Sequence, residues 1–250
     1  MKILLTNDDG YNAKGIKVLE EVLSEYGHEV WVIAPSSNCS AYSHKMTVTG
    51  EITMTKFGAN HYHCSGTPTD CVLYGSKAKF FHCAPDLVVS GINAGGNMST
   101  DVLYSGTCAA ACEAAMHDIK AVALSVEPNE KGEFNFRDIA VFFCENLNKF
   151  YPLINHHRFL NINAPYAVTE GVKVGRLGTL KYPDGMSLSH SDGDSMIYTL
   201  NPGGDARYQC CETEQTDFEI VKHGGIALTF VAVLPALDVE GQKALEAIYG

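Results

Sequence analysis

No stretch of this 250-residue chain approaches the roughly 18 consecutive apolar residues that a membrane-spanning helix needs. A bilayer is therefore not an expected partner. A secretion signal is missing too: Met1-Lys2-Ile3-Leu4-Leu5-Thr6-Asn7-Asp8-Asp9 turns acidic within a few residues and reads as a first strand. The nine cysteines are an odd number, contain no Cys-x-x-Cys, and include the adjacent pair Cys210-Cys211. Disulfide frameworks and zinc sets need paired spacings, so reduced thiols in a cytoplasmic protein are expected. Basic residues are scarce, 18 Lys+Arg against 29 Asp+Glu. The resulting net charge of −11 excludes wrapping long nucleic acid, which needs several cations on phosphates. It does not exclude handling one small anion.

Familiar signatures are absent as well. Gly10 to Gly15 has the glycine spacing of a P-loop, but Ile16 stands where the lysine belongs. There is no Gly-x-Gly-x-x-Gly dinucleotide fingerprint and no Gly-x-Ser-x-Gly elbow.

What is present is an alternation of strand-like and helix-like stretches. Ile3 to Thr6 is a short apolar run; Ile16, Leu19, Val22, Leu23 and Tyr26 recur at helical spacing, with Gly27 placed to end that helix. His28 to Ala34 reads as a strand closed by Pro35. Two alternating segments around Gly50 predict a hairpin, and Thr67-Pro68 opens a helix through Leu73. Asp86 to Ser90 is a strand buried on both faces. Thr107 caps an alanine-rich helix, Cys108 to His117. Ala121 to Val126, Phe136 to Phe150 and Phe159 to Asn163 continue as strand, helix and strand. Such alternation means parallel βαβ units. From about Val172 short alternating segments such as Met196 to Leu200 and Ile226 to Val233 predict a largely antiparallel β extension. The reading is one α/β domain with an elaborated C-terminal β region and an approximate boundary near residue 170.

Three polar clusters fall just past predicted parallel strands: Asn7-Asp8-Asp9-Gly10, Pro35 to His44, and Ser90 to Asn97. In an open α/β sheet those strand ends converge on a crevice, the usual ligand site. Adjacent carboxylates at Asp8 and Asp9 repel, and a cation relieves them. Carboxylate, amide and hydroxyl oxygens suit hard ions such as Mg²⁺ or Mn²⁺. Standing alone, Asp-Asp-Gly is also what a solvated turn looks like. The run Asp101 to Thr107 places small residues before a helix whose free N–H groups and dipole favour an anion, although an ordinary N-cap would look the same.

Leu5-Thr6-Asn7-Asp8-Asp9-Gly10, Val89-Ser90-Gly91-Ile92-Asn93 and Tyr104-Ser105-Gly106-Thr107 resemble the signature blocks of the SurE-type (survival protein E) nucleotidase family. Gly66 to Val72, Leu160 to Pro165, and Thr216-Asp217 leading to Gly224 through Thr229 add to the resemblance, in family order over nearly the whole chain. It implies a Rossmann-like, three-layer α/β/α mostly parallel sheet over 1–170 that carries the active site. Residues 171–250 would be C-terminal β segments and tail of the same domain, used in forming homodimers or homotetramers. It implies a phosphatase dependent on one divalent cation, Mg²⁺ or Mn²⁺, acting on nucleoside 5′- and also 3′-monophosphates. Short-chain polyphosphate is an alternative substrate. The implied metal ligands are Asp8, Asp9, the Ser40 hydroxyl and the Asn93 amide. Cys39 departs from the family, which usually has a basic residue there; Ser99, Cys108 and Phe230 depart as well.

On this basis Asp8 and Asp9 are the expected catalytic carboxylates. Asp8 either takes the proton of an attacking water or attacks directly. Asn97, Ser105, Gly106 and Thr107 would hold the phosphoryl oxygens, and His44 is a candidate for protonating the leaving group. His61-x-His63 could pose as a metal pair but lacks carboxylate support, and Cys108 with Cys112 reads as packing. A receiver-like signalling module shares the paired acids, but Ser90 to Asn93 supplies no aspartate to be phosphorylated. A non-catalytic nucleotide-binding protein is the other rival.

Overall fold

The computed structural model describes residues 1–77, 80–201, 207–209, 215–235 and 239–249. The chain opens with β1 (Lys2–Thr6), α1 (Lys14–Glu25) and β2 (Glu29–Pro35), the strand–helix–strand unit that the periodicity predicts. Next come β3 (Met54–Gly58), β4 (His61–Cys64), α2 (Pro68–Lys77) and β5 (Leu87–Ala94). A 3-10 turn, Ser99–Leu103, leads into α3 (Gly106–Met116), β6 (Ala121–Val126), α4 (Phe136–Phe150) and β7 (Arg158–Ala164). Then follow β8 (Val172–Val174), β9 (Thr179–Lys181), β10 (Gly185–Asp192), β11 (Ser195–Asn201) and β12 (Arg207–Gln209). The last elements are α5 (Asp217–Lys222), β13 (Ile226–Ala232) and α6 (Val239–Tyr249).

Nine strands form one sheet in the order β3-β4-β2-β1-β5-β6-β7-β13-β8. From β4 to β7 all neighbours are parallel, whereas β3 runs antiparallel to β4, and β13 runs antiparallel to β7 but parallel to β8. Helices cover both faces, which makes the fold α/β with three layers. On one face α1 and α4 pack together over the sheet. Ile16, Leu19, Val22 and Leu23 of α1 are buried at helical spacing, as are Ile139, Phe143, Leu147 and Phe150 of α4. On the other face lie α2 and α3. Ala110, Ala111, Ala114 and Ala115 are fully buried, and such small side chains let α3 lie close on the strands. Every residue of β6 is buried, matching its continuous apolar run.

Two expectations from the sequence shift. The hairpin expected around Gly50 forms later, between β3 and β4, turning at Ala59-Asn60. Thr47 is tied to α2 instead, donating its N–H and hydroxyl to the Asp70 carboxylate at 2.9 and 2.8 Å. The strand expected to stop at Ser90 runs on to Ala94. Its ladder with β6 skips one residue between Ser90 and Asn93, a bulge that re-aims the end of β5. Gly91 makes this possible, with φ +135° and a position where a Cβ would lie 2.4 Å from the Leu124 carbonyl oxygen.

The 171–250 stretch divides its strands. β13 and β8 extend the main sheet, while β10 and β11 form a two-stranded hairpin with every residue exposed. Among the described residues no helix is long and apolar enough to cross a membrane.

Candidate active site

The chain leaves β1 toward β2 on one side and leaves β5 toward β6 on the other, so a crevice opens where the carboxyl ends of β1 and β5 meet. The turn after β1 is held by the buried Asn7, whose amide donates to the Gly10 carbonyl at 2.9 Å and accepts from the Gly10 N–H at 3.2 Å. Asp8 and Asp9 stand on that turn.

Three hydrogen bonds gather the distant segments around them. The Cys39 N–H donates to the Asp8 carbonyl at 2.7 Å. The Ala94 N–H donates to Asp9 Oδ2 at 3.2 Å. The Thr107 hydroxyl donates to Asp8 Oδ1 at 2.5 Å. Ser40 and Asn93 are thereby each one residue from a direct contact with the acidic pair. The Asn93 Nδ2 donates to the Gly95 carbonyl at 2.8 Å, which leaves its amide oxygen for another partner. Ser40 is exposed on its loop, where its N–H closes an Asn38 side-chain turn at 2.7 Å.

Burial raises both aspartates above the usual carboxylate range. For Asp8 the Thr107 hydrogen bond works against burial and the Asp9 charge adds to it; for Asp9 the Ala94 N–H opposes burial. Among the described residues neither makes an ion pair. Two neighbouring carboxylates with no basic partner are an electrostatic arrangement that a cation would relieve. Among the described residues no group of three or more His, Cys, Asp or Glu side chains is arranged to hold a metal ion. A cation held here would therefore need the neutral oxygens of Asn93 and Ser40. That donor set fits a hard ion such as Mg²⁺ or Mn²⁺.

The start of α3 lies against Asp8. Ser105, not Thr107, is the N-cap: its side chain accepts from the Cys108 N–H at 3.0 Å, and the helix begins at Gly106. Thr107 sits in the first turn because its hydroxyl is engaged by Asp8 rather than by the helix. Among the described residues the first-turn N–H groups of Gly106 and Thr107 face no backbone carbonyl; the Thr107 N–H instead favours the Asp8 carboxylate, and the dipole adds positive potential there. A Cβ on Gly106 would come 2.8 Å from Asp8 Cβ, so glycine permits this approach.

Other expected residues sit elsewhere. Asn97 is buried and donates Nδ2 to Ser125 Oγ at 2.8 Å, while its carbonyl accepts from Asn161 and Asn163 at 2.8 and 3.2 Å. What is seen of it is anchorage of the loop after β5. His44 meets Glu113 Oε2 at 2.9 Å, and Glu113 Oε1 meets His117 at 2.9 Å. With Ser105 and Cys108, His44 also lines a cavity of about 570 Å³ that none of the four expected metal ligands lines. Cys39 is buried and its thiol is pushed up by burial, so it offers no positive charge. His61 pairs with Glu20 and His63 stacks on Tyr11, both structural. Cys108 and Cys112 lie on α3, their thiols meeting Asn161 Oδ1 and the Val233 carbonyl at 3.8 and 3.9 Å. The seven described cysteines are free; Cys210 and Cys211 lie outside the described residues. The anchoring by Asn161 and Asn163 was missed. Two amides at i and i+2 in an otherwise apolar buried strand were the available signal.

A family model described as Survival protein SurE matches residues 3–184. Among solved structures, the crystal structure of the SurE protein from Aquifex aeolicus is similar at TM-score 0.84 and 29% identity, covering 100% of both chains. The Bordetella bronchiseptica enzyme WbmH in complex with NAD⁺ superposes only loosely, at TM-score 0.29 and 17% identity over 68% of this chain and 56% of that one.

Proposed function

Since the chain belongs to the survival protein SurE family, we propose that it is a metal-dependent phosphomonoesterase. It would hydrolyse nucleoside 5′-monophosphates, and 3′-monophosphates as further substrates, to nucleoside and phosphate. Family membership supports the coarser statement, a phosphatase or nucleotidase. The observation that carries the finer one is the set of hydrogen bonds joining Cys39 to Asp8, Ala94 to Asp9 and Thr107 to Asp8. They tie the segments that carry Asp8, Asp9, Ser40 and Asn93 to one another, and Asp8 to the start of α3.

In this proposal Asp8, Asp9, Asn93 and Ser40 hold the cation. When bound, the ion would supply Lewis-acid polarisation of a phosphoryl oxygen. The first-turn N–H groups of Gly106 and Thr107, with the Ser105 hydroxyl, would face the remaining phosphoryl oxygens, where charge spreads in the transition state. Asp8 would take the proton of the attacking water or attack directly. Thr107 holds Asp8 in place for that step. Asn97 supports the loop that ends β5.

We further propose a homodimer or homotetramer. An isolated two-stranded hairpin is marginal in water, and β10–β11 exposes Met186, Leu188, Met196, Ile197, Tyr198 and Leu200. Compartment is proposed as the cytoplasm on the cysteine usage. The test of activity is phosphate release from AMP with added Mg²⁺, added Mn²⁺, or EDTA. Release with either ion and none in EDTA is expected; undiminished release in EDTA would remove the metal model.

A further inference from the structure

Cys64 ends β4 and Cys71 lies in the opening turn of α2, and the short link between these elements turns one side chain toward the other. Thr67 caps α2: its hydroxyl accepts from the Asp70 N–H at 3.3 Å, and its N–H donates to Asp70 Oδ2 at 2.9 Å. This entry leaves the Gly66 N–H donating to the Cys64 sulfur at 3.2 Å. The Cys71 thiol donates to Cys64 as well, and both side chains are fully buried in the same apolar cluster.

Burial alone makes a thiol inert, and Cys108 and Cys144 show it, both pushed up to about 12 chiefly by burial. Cys64 is as buried as Cys108 yet moves the other way. The hydrogen bond from Cys71 and the Gly66 N–H together outweigh burial and hold the Cys64 thiol below its ordinary range. The positive end of the α2 dipole, at the same place, favours the thiolate further. Cys71 is raised well above that range, by burial and then by its bond to Cys64. So unequal a pair has the form of an attacking thiolate and a resolving thiol. Thr6 Oγ1, fully buried and without a nitrogen or oxygen partner among the described residues, lies beside the Cys71 sulfur.

We propose that Cys64 and Cys71 are a thiol pair oxidised by hydrogen peroxide to a reversible disulfide that joins the end of β4 to the start of α2. The Cys64 thiolate attacks one peroxide oxygen, the O–O bond breaks, and the departing hydroxide takes a proton to leave as water. Cys64 is then a sulfenic acid. The Cys71 sulfur attacks the Cys64 sulfur, and its proton goes with the displaced hydroxide as a second water. Two thiols give up two electrons and one peroxide accepts them. The Thr6 hydroxyl offers a polar hydrogen to a departing hydroxide. Ser65, next to Cys64, is exposed, so the sulfur lies one residue from solvent, within reach of an oxidant little larger than water. This chemistry is independent of phosphate transfer at Asp8.

The folded full chain is treated with hydrogen peroxide, its remaining thiols are alkylated in urea, and trypsin then releases Phe57 to Lys77, one peptide that carries both cysteines. Mass spectrometry should find that peptide lighter by two hydrogens with neither cysteine alkylated, and doubly alkylated again after dithiothreitol. Cys71→Ala removes the resolving sulfur. Cys64 in that variant should stop at the sulfenic acid and take up dimedone at least about tenfold more than Cys71 does in Cys64→Ala. The parent peptide gives its answer without either variant, should one fail to fold. Two alkylated thiols in the parent peptide, at a dose that oxidises the exposed Cys83, overturn the proposal. So does a disulfide from Cys64 to any other cysteine, or equal dimedone uptake by the two variants.

Discussion

The Thr107 hydroxyl donates to Oδ1 of Asp8 at 2.5 Å across 99 residues of sequence, fixing the buried carboxylate to the first turn of α3. Groups that orient a metal-binding carboxylate typically matter about 10–100-fold in affinity or activity. Thr107→Val is expected to lower kcat on AMP by about that factor, with Thr107→Ser restoring most of it. Equal kcat in all three proteins would show that the contact does not orient Asp8.

Gly106 tests the close approach itself. Gly106→Ala places a methyl 2.8 Å from Asp8 Cβ and 3.0 Å from its Oδ2. Overpacking of this kind costs about 1–3 kcal/mol, so the urea midpoint should fall and Asp8 should be displaced with loss of turnover. An unchanged midpoint and unchanged kcat would contradict the packing described.

At the helix start, Ser105→Ala removes the side-chain acceptor of the Cys108 N–H. Loss of an N-cap costs about 0.5–2 kcal/mol. Urea unfolding should show that decrease with the same m-value. The matching substitution at Thr107, by contrast, removes no cap.

The His44–Glu113–His117 clasp has its own pH signature. Hydrogen bonding with Cys112 and then Glu113 raises His44 to about 9 from its ordinary 6.5. Glu113 is lowered from 4.5: burial pushes it up, but the hydrogen bonds with His44 and His117 prevail. A raised histidine contributes stability that is complete below pH 6.5 and lost as pH rises through 9. The lowered carboxylate contributes stability present above 4.5 and lost in acid. The difference in urea midpoint between parent and His44→Gln should therefore be widest between those lower limits, 4.5 and 6.5, and close as pH passes 9. A difference independent of pH would show that His44 acts only by packing.

Much of this architecture was legible because it is written locally. Ile16, Leu19, Val22 and Leu23 mark α1 by period, Gly27 marks its end, and the apolar run of β6 shows burial on both faces. Asp8, Asp9 and Asn93 can be proposed as site residues from the sequence because they follow apolar runs, where parallel strands end. What the sequence hid depends on contacts between distant segments. Thr107 looks like a cap until Asp8 claims its hydroxyl and Ser105 takes the capping role. The segment near Gly50 alternates like a strand, yet Thr47 bonds to Asp70 of α2 rather than to another strand. The extension of β5 to Ala94 follows from a bulge that forms only where Gly91 meets Leu124. Asn97 reads as a phosphate contact, but its side chain finds Ser125 and its carbonyl finds two asparagines of β7.

Counting bound Mn²⁺ by the electron paramagnetic resonance of the free aqueous ion addresses the four proposed ligands without relying on turnover. The parent chain should bind one ion per subunit with full loss of its free signal, and Asp8→Asn and Asn93→Ala, checked for folding by circular dichroism, should each bind much more weakly. Undiminished binding in both variants would contradict a cation held by Asp8, Asp9, Ser40 and Asn93.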